Sequence, residues 1–535
     1  MSVVREGRAV QRVASRGMRI LFTFAGGTGH LEPLVPIARA AQRAGHTVAF
    51  AGRPWMIPQV EALGITGFAT GSDVGLTPKR LPLVAVDVER DMRAVADGFV
   101  RRIARERAAA LLPLCADWQP DLLVCEELDF GPMLVAERLE IPHASVLVIA
   151  SGSFVRAQII VGPLNELRAE HGLAPDPELV MLRCHLVLSP GPPSLRDPGF
   201  PLPDTAHSVR VSARDAARGG GEPTVWFMLG TIYNMESGDL FQRVIEGVRE
   251  LPLQLVVSVG RDFDPAELGT QPANVRIERY VAQAERLPRC ELVISHGGSG
   301  SVLNALAHGV PMLLLPLGAD QPLNAARCEA LGVARVLDAA TTTPKLAREA
   351  VSRVLESPTY RRAAERLRDE NAALPGPEHA VMLLERLMGF ASLVPELYVS
   401  ELSRSLHFYV DLLGFAVEYA RPEVRFASLA LGGARIMLEE TRSLEASSAA
   451  ELARGEFRTA ELRAPFGRGV NLELRVPDVA AVSQRLSAAG YPPLLDTYEK
   501  SYRVGTETLT VRQLLVADPD GYLIRPSQVL EPAKR

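Results

Sequence analysis

The stretch ISHGGSGSVLNALAHGVPMLLLPLGADQ, residues 294–321, holds two groups of residues whose types and spacing suit chemistry: His296 with the turn Gly297, Gly298, Ser299, Gly300 and Ser301, and then Asp320 with Gln321. A glycine-rich turn that opens a helix at a strand's carboxyl end leaves free backbone N–H groups and the positive end of the helix dipole facing one point. Glycines there let the backbone approach a phosphate closely. A diphosphate fits such a turn, although a tight strand-to-helix turn without a ligand is the plainer reading. The next strand end narrows the choice. In a parallel sheet both ends open into one crevice, so the Asp320 carboxylate and the Gln321 amide would reach a polyhydroxylated group attached to the diphosphate. The two groups together point to a nucleotide sugar.

Two other nucleotide readings fail on spacing. A dinucleotide fingerprint starting at Gly27 would place Glu32 where a small residue is needed, and the following strand ends in Gly52 and Arg53 instead of a ribose-binding acid. The same test from Gly298 puts Leu303 at the third glycine, and neither loop is followed by the Gly-Lys-Ser/Thr of a P-loop.

The elements that must position these residues alternate along the chain. MRILFTFA is a buried-strand run from Met18, GGTGH turns, LEPLVPIARAAQRAG has helical spacing and HTVAFAG is the next strand. A long helical pattern follows over residues 88–118, then a strand in DLLVCEE, a helix in GPMLVAERLE and a strand in HASVLVI. A second alternating series starts at TVWFMLG and includes strands in LQLVVSVG, VRIERYV, ELVISHGG and PMLLLPL. Alternation of this kind predicts α/β architecture, parallel sheets with helices on both faces, here as two tandem Rossmann-like doubly wound domains. The expected division is a disordered extension over 1–17 with Met18 as an alternative start, a first domain over 18–213, a Gly- and charge-rich linker at 214–223, a second domain over 224–390 and a further domain over 393–531. Within that C-terminal domain the segments VPELYVSELSRSLHFYVDLLGF and GVNLELRVPDVAAVSQRLSAAGY resemble one another, each a strand, an acidic turn, an amphipathic helix and a Gly-aromatic stop. A duplicated small α+β module is implied.

Composition excludes several classes. At 535 residues with 47% hydrophobic and 23% charged residues, the chain has ample material for several packed cores. Lys plus Arg number 58 against 63 Asp plus Glu, a net charge of −5 with no long run of one sign, which argues against nucleic acid or a membrane surface as partner. The five cysteines, Cys115, Cys125, Cys184, Cys290 and Cys328, are dispersed and form no C-x-x-C pair, as in a reduced, cytoplasmic protein. No apolar run has the length of a membrane span, and the leader lacks the apolar region of a signal peptide.

The segment YVAQAERLPRCELVISHGGSGSVLNALAHGVPMLLLPLGADQPLNA resembles the donor-binding signature of GT-B fold glycosyltransferases, in particular the UDP-glycosyltransferase and macrolide-glycosyltransferase group. The resemblance extends over residues 18–389 and implies that His296 and Gly297 to Ser301 hold the diphosphate and that Asp320 and Gln321 hold sugar hydroxyls. Val281 and Gln283 fall where the family frames the base, with Ala282 in place of its usual Pro. Gly230 and Thr231, in MLGT, match the family's loop facing the donor. GGTGHLEPLVPIARA resembles the family's G-H-x-x-P segment, which makes His30 the base that deprotonates the acceptor hydroxyl. An imidazole, with its ordinary pKa near 6.5, suits that task at neutral pH. In PDLLVCEELDFG, Glu126 stands where the family often has the Asp that orients this His, with Glu127 and Asp129 as nearby alternatives. His46 and His308 read as structural.

ELYVSELSRSLHFYVDLLGF and LLVADPDGYLIRPSQ resemble the vicinal oxygen chelate superfamily, nearest its glyoxalase/bleomycin-resistance branch, which implies a domain of duplicated βαβββ modules. Catalytic members bind a divalent metal at positions held here by Val394, Asn471 and Arg525, leaving Glu439 or Glu440 as a lone ligand, and one carboxylate does not make a metal site. The implied role is ligand binding or formation of a homodimer. Phe408, Tyr409, Tyr498 and Tyr502 would line a groove or serve as plain core.

The resulting expectation is an inverting, metal-independent glycosyltransferase that needs no cofactor and moves a sugar from a UDP- or dTDP-sugar to a hydroxyl of a hydrophobic small molecule, a natural product or antibiotic. The rival readings are a non-catalytic nucleotide-sugar or antibiotic-binding protein and a sugar-nucleotide epimerase of the same fold.

Overall fold

The computed structural model describes residues 17–72, 81–183, 185–211, 223–230, 233–279, 281, 283–388, 394–431, 434–441, 448, 461–504 and 507–530. The expected linker and N-terminal extension lie almost entirely outside these residues, as do Cys184 and Thr231. The chain divides into two compact units at Met388/Gly389.

In the first unit, short apolar runs form two parallel sheets. One sheet contains β1 (Arg19–Thr23), β2 (Thr47–Gly52), β3 (Thr66–Ala69), β4 (Leu122–Glu126), β5 (His143–Val146), β6 (Leu186–Pro190) and β7 (Ala206–Val209), in the order β3-β2-β1-β4-β5-β6-β7. The other contains β8 (Thr224–Met228), β9 (Gln254–Ser258), β10 (Val275–Glu278), β11 (Leu292–Ser295), β12 (Met312–Leu314) and β13 (Ala334–Val336), in the order β10-β9-β8-β11-β12-β13. Strand direction is parallel throughout both. Central strands such as β4 and β11 are buried along their whole length because helices cover both faces, so they read as continuous apolar runs. The order reverses beside β1 and β4 in one sheet and beside β8 and β11 in the other. At such a reversal the connecting loops diverge to opposite faces and leave a crevice at the strands' carboxyl ends.

The predicted helix over 88–118 forms, with a difference. Asp87 caps its start by accepting from the Arg90 amide at 3.0 Å, and residues 88–94 and 105–118 are α-helical. Residues 95–104 between them adopt π-helical bonding, a register that hydrophobic spacing does not reveal.

The helix Pro377–Leu387, expected within the second domain, packs instead against Val35–Arg43 of the first. Arg43 pairs with Glu378 at 2.8 Å, and His46 bonds Glu385 through Nε2 at 3.1 Å while its Nδ1 accepts from the Met18 amide. His46 is thus structural, as expected, through a contact between distant segments. Where the chain leaves and re-enters the first domain the two passages are tied together. The Arg210 amide donates to Pro375 O at 2.8 Å, and buried Asn371 exchanges two hydrogen bonds with the backbone of Val211.

The second unit contains two mixed sheets with the same topology. In one, β14 (Glu396–Val399), β15 (Ala416–Arg421), β16 (Phe426–Leu431) and β17 (Ala434–Glu440) run in the order β14-β17-β16-β15. In the other, β18 (Asn471–Arg475), β19 (Leu495–Val504), β20 (Glu507–Ala517) and β21 (Leu523–Val529) run in the order β18-β21-β20-β19. In both, the first and last strands pair parallel and the remaining pairs are antiparallel, which is the expected duplication. One core joins them, and Phe408 and Tyr409 belong to it rather than to any groove. Tyr498 accepts from Gln513 Nε2 at 2.6 Å, and the Tyr502 side chain lies outside the described residues.

Candidate active site

The carboxyl ends of β1 and β4 build the first half of the site. β1 runs into the turn from Phe24 to Gly27, and the four-residue helix Thr28–Leu31 then carries His30. β4 ends on Glu126, whose Oε1 lies 2.9 Å from His30 Nδ1. Glu126 also accepts from the amides of Ala25 and Leu128, so the carboxylate is held from two sides and fully buried. The carboxylate places the imidazole proton on Nδ1 and leaves the Nε2 lone pair as the proton acceptor. Gly26 makes room for this nitrogen, since a Cβ there would stand 2.4 Å from it. Phe99, from the π-helical stretch, stacks on the ring with centroids 5.8 Å apart.

Burial alone lowers the proton affinity of His30. The charge and hydrogen bond of Glu126 outweigh it, with smaller contributions from the charges of Asp320 and Asp129, so the pKa stands above the ordinary histidine value. The alternatives to Glu126 are occupied elsewhere. Glu127 accepts from the Val148 and Ile149 amides. Asp129 forms a buried two-bond pair with Arg107, whose remaining donors reach Thr70 and Ala51 O.

The second half comes from β8, β11 and β12. His296 follows β11 and Gly230 follows β8, and the two touch: a Cβ on Gly230 would stand 2.8 Å from the His296 ring, and one on Gly298 would stand 2.6 Å from its Nε2. Burial pushes the His296 pKa down to about 4, so the ring is neutral at pH 7. Its buried Nδ1 has no hydrogen-bond partner among the described residues, the condition in which an incoming ligand atom is most valuable. The helix Ser299–Ala307 starts beside it without a side-chain cap, leaving the first-turn amides of Ser299, Gly300 and Ser301 to be satisfied from outside.

After β12, Asp320 precedes the helix Gln321–Ala330. Asp320 Oδ2 accepts from Ser299 Oγ at 2.6 Å and from Asn324 Nδ2 at 2.7 Å, which leaves Oδ1 for a ligand. Gln321 is buried and its Oε1 accepts from the Leu317 amide at 2.8 Å, so its carbonyl end braces the turn and its amide nitrogen remains to donate. The Ser299 hydroxyl is likewise engaged by protein: besides Asp320 it meets the Ala150 amide at 2.7 Å and Asn324 at 3.1 Å. Of the two residues expected to frame the base, Gln283 accepts through Oε1 from Asn304 Nδ2 at 3.0 Å, and Val281 packs against the apolar cluster beneath. His308 donates through Nδ1 to Asn304 O at 2.8 Å, one turn back, a structural role.

The two halves face each other directly. Asp320 is near enough to raise the pKa of His30, and His30 in turn lowers that of Asp320, although burial leaves the latter net raised. Asn324, absent from the sequence-based candidates, joins the halves: its Oδ1 accepts from the Ser151 amide at 3.0 Å and its Nδ2 donates to Gly297 O at 3.1 Å. Its position one helical turn after Asp320 was the available signal. In the second unit, Glu440 accepts from the Leu402 amide and pairs with Arg425, while Arg525 pairs with Glu473. Among the described residues no group of three or more His, Cys, Asp or Glu side chains converges as a metal site, and no helix is long and apolar enough to cross a membrane.

Two facing Rossmann-like domains, with the candidate residues at the switch point of each, define the GT-B architecture of glycosyltransferases. Comparison with known proteins agrees. Residues 242–387 match the family described as erythromycin biosynthesis protein CIII-like, C-terminal domain, and residues 389–525 match the glyoxalase/bleomycin resistance protein/dioxygenase superfamily. The 3-alpha-mycarosylerythronolide B desosaminyl transferase of Saccharopolyspora erythraea is 26% identical over 69% of this chain and 98% of its own length. The L-demethylnoviosyl transferase of Streptomyces niveus is 28% identical over 67% of this chain and 96% of its own. Among solved structures, the glycosyltransferase VinC in complex with dTDP is 26% identical, with a TM-score of 0.56 over 69% of this chain and 99% of its own. The chain is a GT-B glycosyltransferase with an EryCIII-like C-terminal domain, followed by a domain of the glyoxalase/bleomycin-resistance superfamily.

Proposed function

We propose that the protein transfers a sugar from a nucleoside-diphosphate sugar to a hydroxyl of a hydrophobic natural product, with inversion at the anomeric carbon and without a metal. The observation that carries the reading is the His30–Glu126 pair, 2.9 Å apart and facing Asp320 in one cleft. His30 Nε2 takes the acceptor's hydroxyl proton as the oxygen attacks the anomeric carbon. The bond from that carbon to the diphosphate breaks on the opposite side, and the diphosphate leaves with the electron pair. Glu126 holds the imidazole in place and offsets the charge that forms on it. The amides at Gly297–Ser301 and the neutral His296 stabilise the departing diphosphate, with Asp320 and Gln321 fixing sugar hydroxyls.

The dTDP held by VinC favours thymidine over uridine in the donor. The relatives named above are transferases, which favours transfer over sequestration or epimerisation. The buried, unpaired cysteines fit a cytoplasmic location, and the appended domain serves as a ligand-binding or dimer-forming module. Calorimetric titration with dTDP-glucose, UDP-glucose and the bare diphosphates tests the donor site, and an acceptor screen with the donor that binds then tests transfer. His30→Ala should bind that donor as well as the native protein and transfer nothing. Equal loss of binding and transfer would remove His30 from the role of base.

A further inference from the structure

Asp91 lies in the helix Val88–Ala94 of the first domain, yet its side chain completes a turn of the second. Its Oδ2 accepts from the Ala319 amide at 3.0 Å. Its Oδ1 accepts from Arg90 Nε and Nη2 at 3.1 and 3.0 Å, so both oxygens are committed and the carboxylate direction is fixed. Ala319 has φ +52°, left-handed backbone that a residue with a Cβ adopts only when surroundings enforce it. The turn is packed from the same side: a Cβ on Gly318 would stand 3.2 Å from Asp91 Oδ2 and 3.2 Å from the Tyr233 hydroxyl. The residues leading into the helix also rest on the second domain. The Leu81 amide donates to Met235 O at 2.9 Å, and Leu83 packs on the second domain's core.

Ala319 immediately precedes Asp320 and Gln321. We propose that Asp91 is a positioning residue for the donor sugar: by holding the Ala319 amide from across the cleft, it sets the turn from which Asp320 and Gln321 reach the sugar. This rests on the reading of Asp320 as a sugar ligand. The diphosphate contacts at His296–Ser301 belong to a different strand end and do not depend on Asp91. The same helical run places Phe99 on His30, so one segment of the first domain is in register with the sugar turn at one end and with the base at the other.

Steady-state kinetics and calorimetry on the full chain test the assignment. Asp91→Ala should raise the donor KM and the dissociation constant of the nucleotide sugar about tenfold, the scale of one hydrogen bond to a charged group. Affinity for the bare nucleoside diphosphate and the acidic limb of the pH profile should not move. Asp91→Asn, which keeps an acceptor oxygen, should recover most of the loss. Asp91→Ser is too short to reach Ala319 and carries the same expectation if the alanine variant does not fold. An unchanged donor KM, equal loss for sugar nucleotide and bare nucleotide, or an asparagine variant as poor as the alanine variant would overturn the proposal. Asp320→Ala measured in parallel separates the causes. If it weakens the sugar nucleotide and Asp91→Ala does not, Asp91 alone loses its role; if neither does, the sugar-site reading fails as well.

Discussion

Glu126 meets His30 at Nδ1, not Nε2, at 2.9 Å, and so decides which ring nitrogen is left to take a proton. The carboxylate also holds the His30 pKa above its ordinary value of 6.5 against the opposing effect of burial. Only the neutral imidazole is a base, so the acidic limb of kcat/KM should lie above pH 6.5. Glu126→Gln removes the raising charge and leaves burial to act, so the limb should move to lower pH while the maximal rate falls on the order of a hundredfold. A pH–rate profile of the two proteins checks both; a limb that stays in place would mean that another group titrates.

Asp320→Ala should weaken binding of the nucleotide sugar more than binding of the bare nucleotide, because Asp320 stands at the strand end assigned to the sugar while the diphosphate is assigned to the turn after β11. Competition calorimetry measures the ratio. Equal weakening would place Asp320 in the architecture of the site and not in contact with sugar.

Asp129→Ala should cost stability without removing the base. It leaves the Arg107 guanidinium buried and without its carboxylate, and breaking a buried pair in this way costs about 3–5 kcal/mol. Denaturant unfolding gives the loss. The acidic limb should shift only slightly downward, since Asp129 is the smallest of the charges raising His30.

Histidine resonances give a direct reading of His296. Its titration midpoint should lie at about 4, so that it stays neutral through the range in which His30 titrates. A midpoint near 6.5 would show that water reaches the ring and that the diphosphate meets a cation there.

Treatment with a chelator should leave both the transfer rate and the melting curve unchanged. Activity or folding restored only by zinc, nickel or manganese would overturn the metal-independent reading of the cleft, of the appended domain, or of both.

The sheet strands with continuous apolar runs and the glycine turns after them were legible in the sequence, because their periodicity and backbone demands are local. β3, β6 and β7 were not singled out. β3, Thr66–Ala69, has no buried residue, and an edge strand so short carries little hydrophobic pattern. His30, Glu126, His296 and Asp320 were legible through motif resemblance, and the structure brings them to one cleft. Asn324 with Ser151 and Asp91 with Ala319 were not, because each bond joins segments 173 and 228 residues apart. No local spacing encodes such a pair. The π-helical register of residues 95–104 escaped for a related reason: it changes the hydrogen-bond ladder without changing which residues are apolar.

The paired passages of chain between the two domains of the catalytic unit sit where the leaves of a door hinge would. Because Arg210 and Val211 on the way out are bonded to Pro375 and Asn371 on the way back, a swing of one domain against the other that keeps these bonds would turn about an axis through that knot. Swinging about this axis would part the Ser151–Asn324 and Asp91–Ala319 contacts together, as the free edge of a door leaves its frame. Substrates would then enter on the swing, and the bonds that meet at closure would return the base and the sugar turn to the same alignment each time.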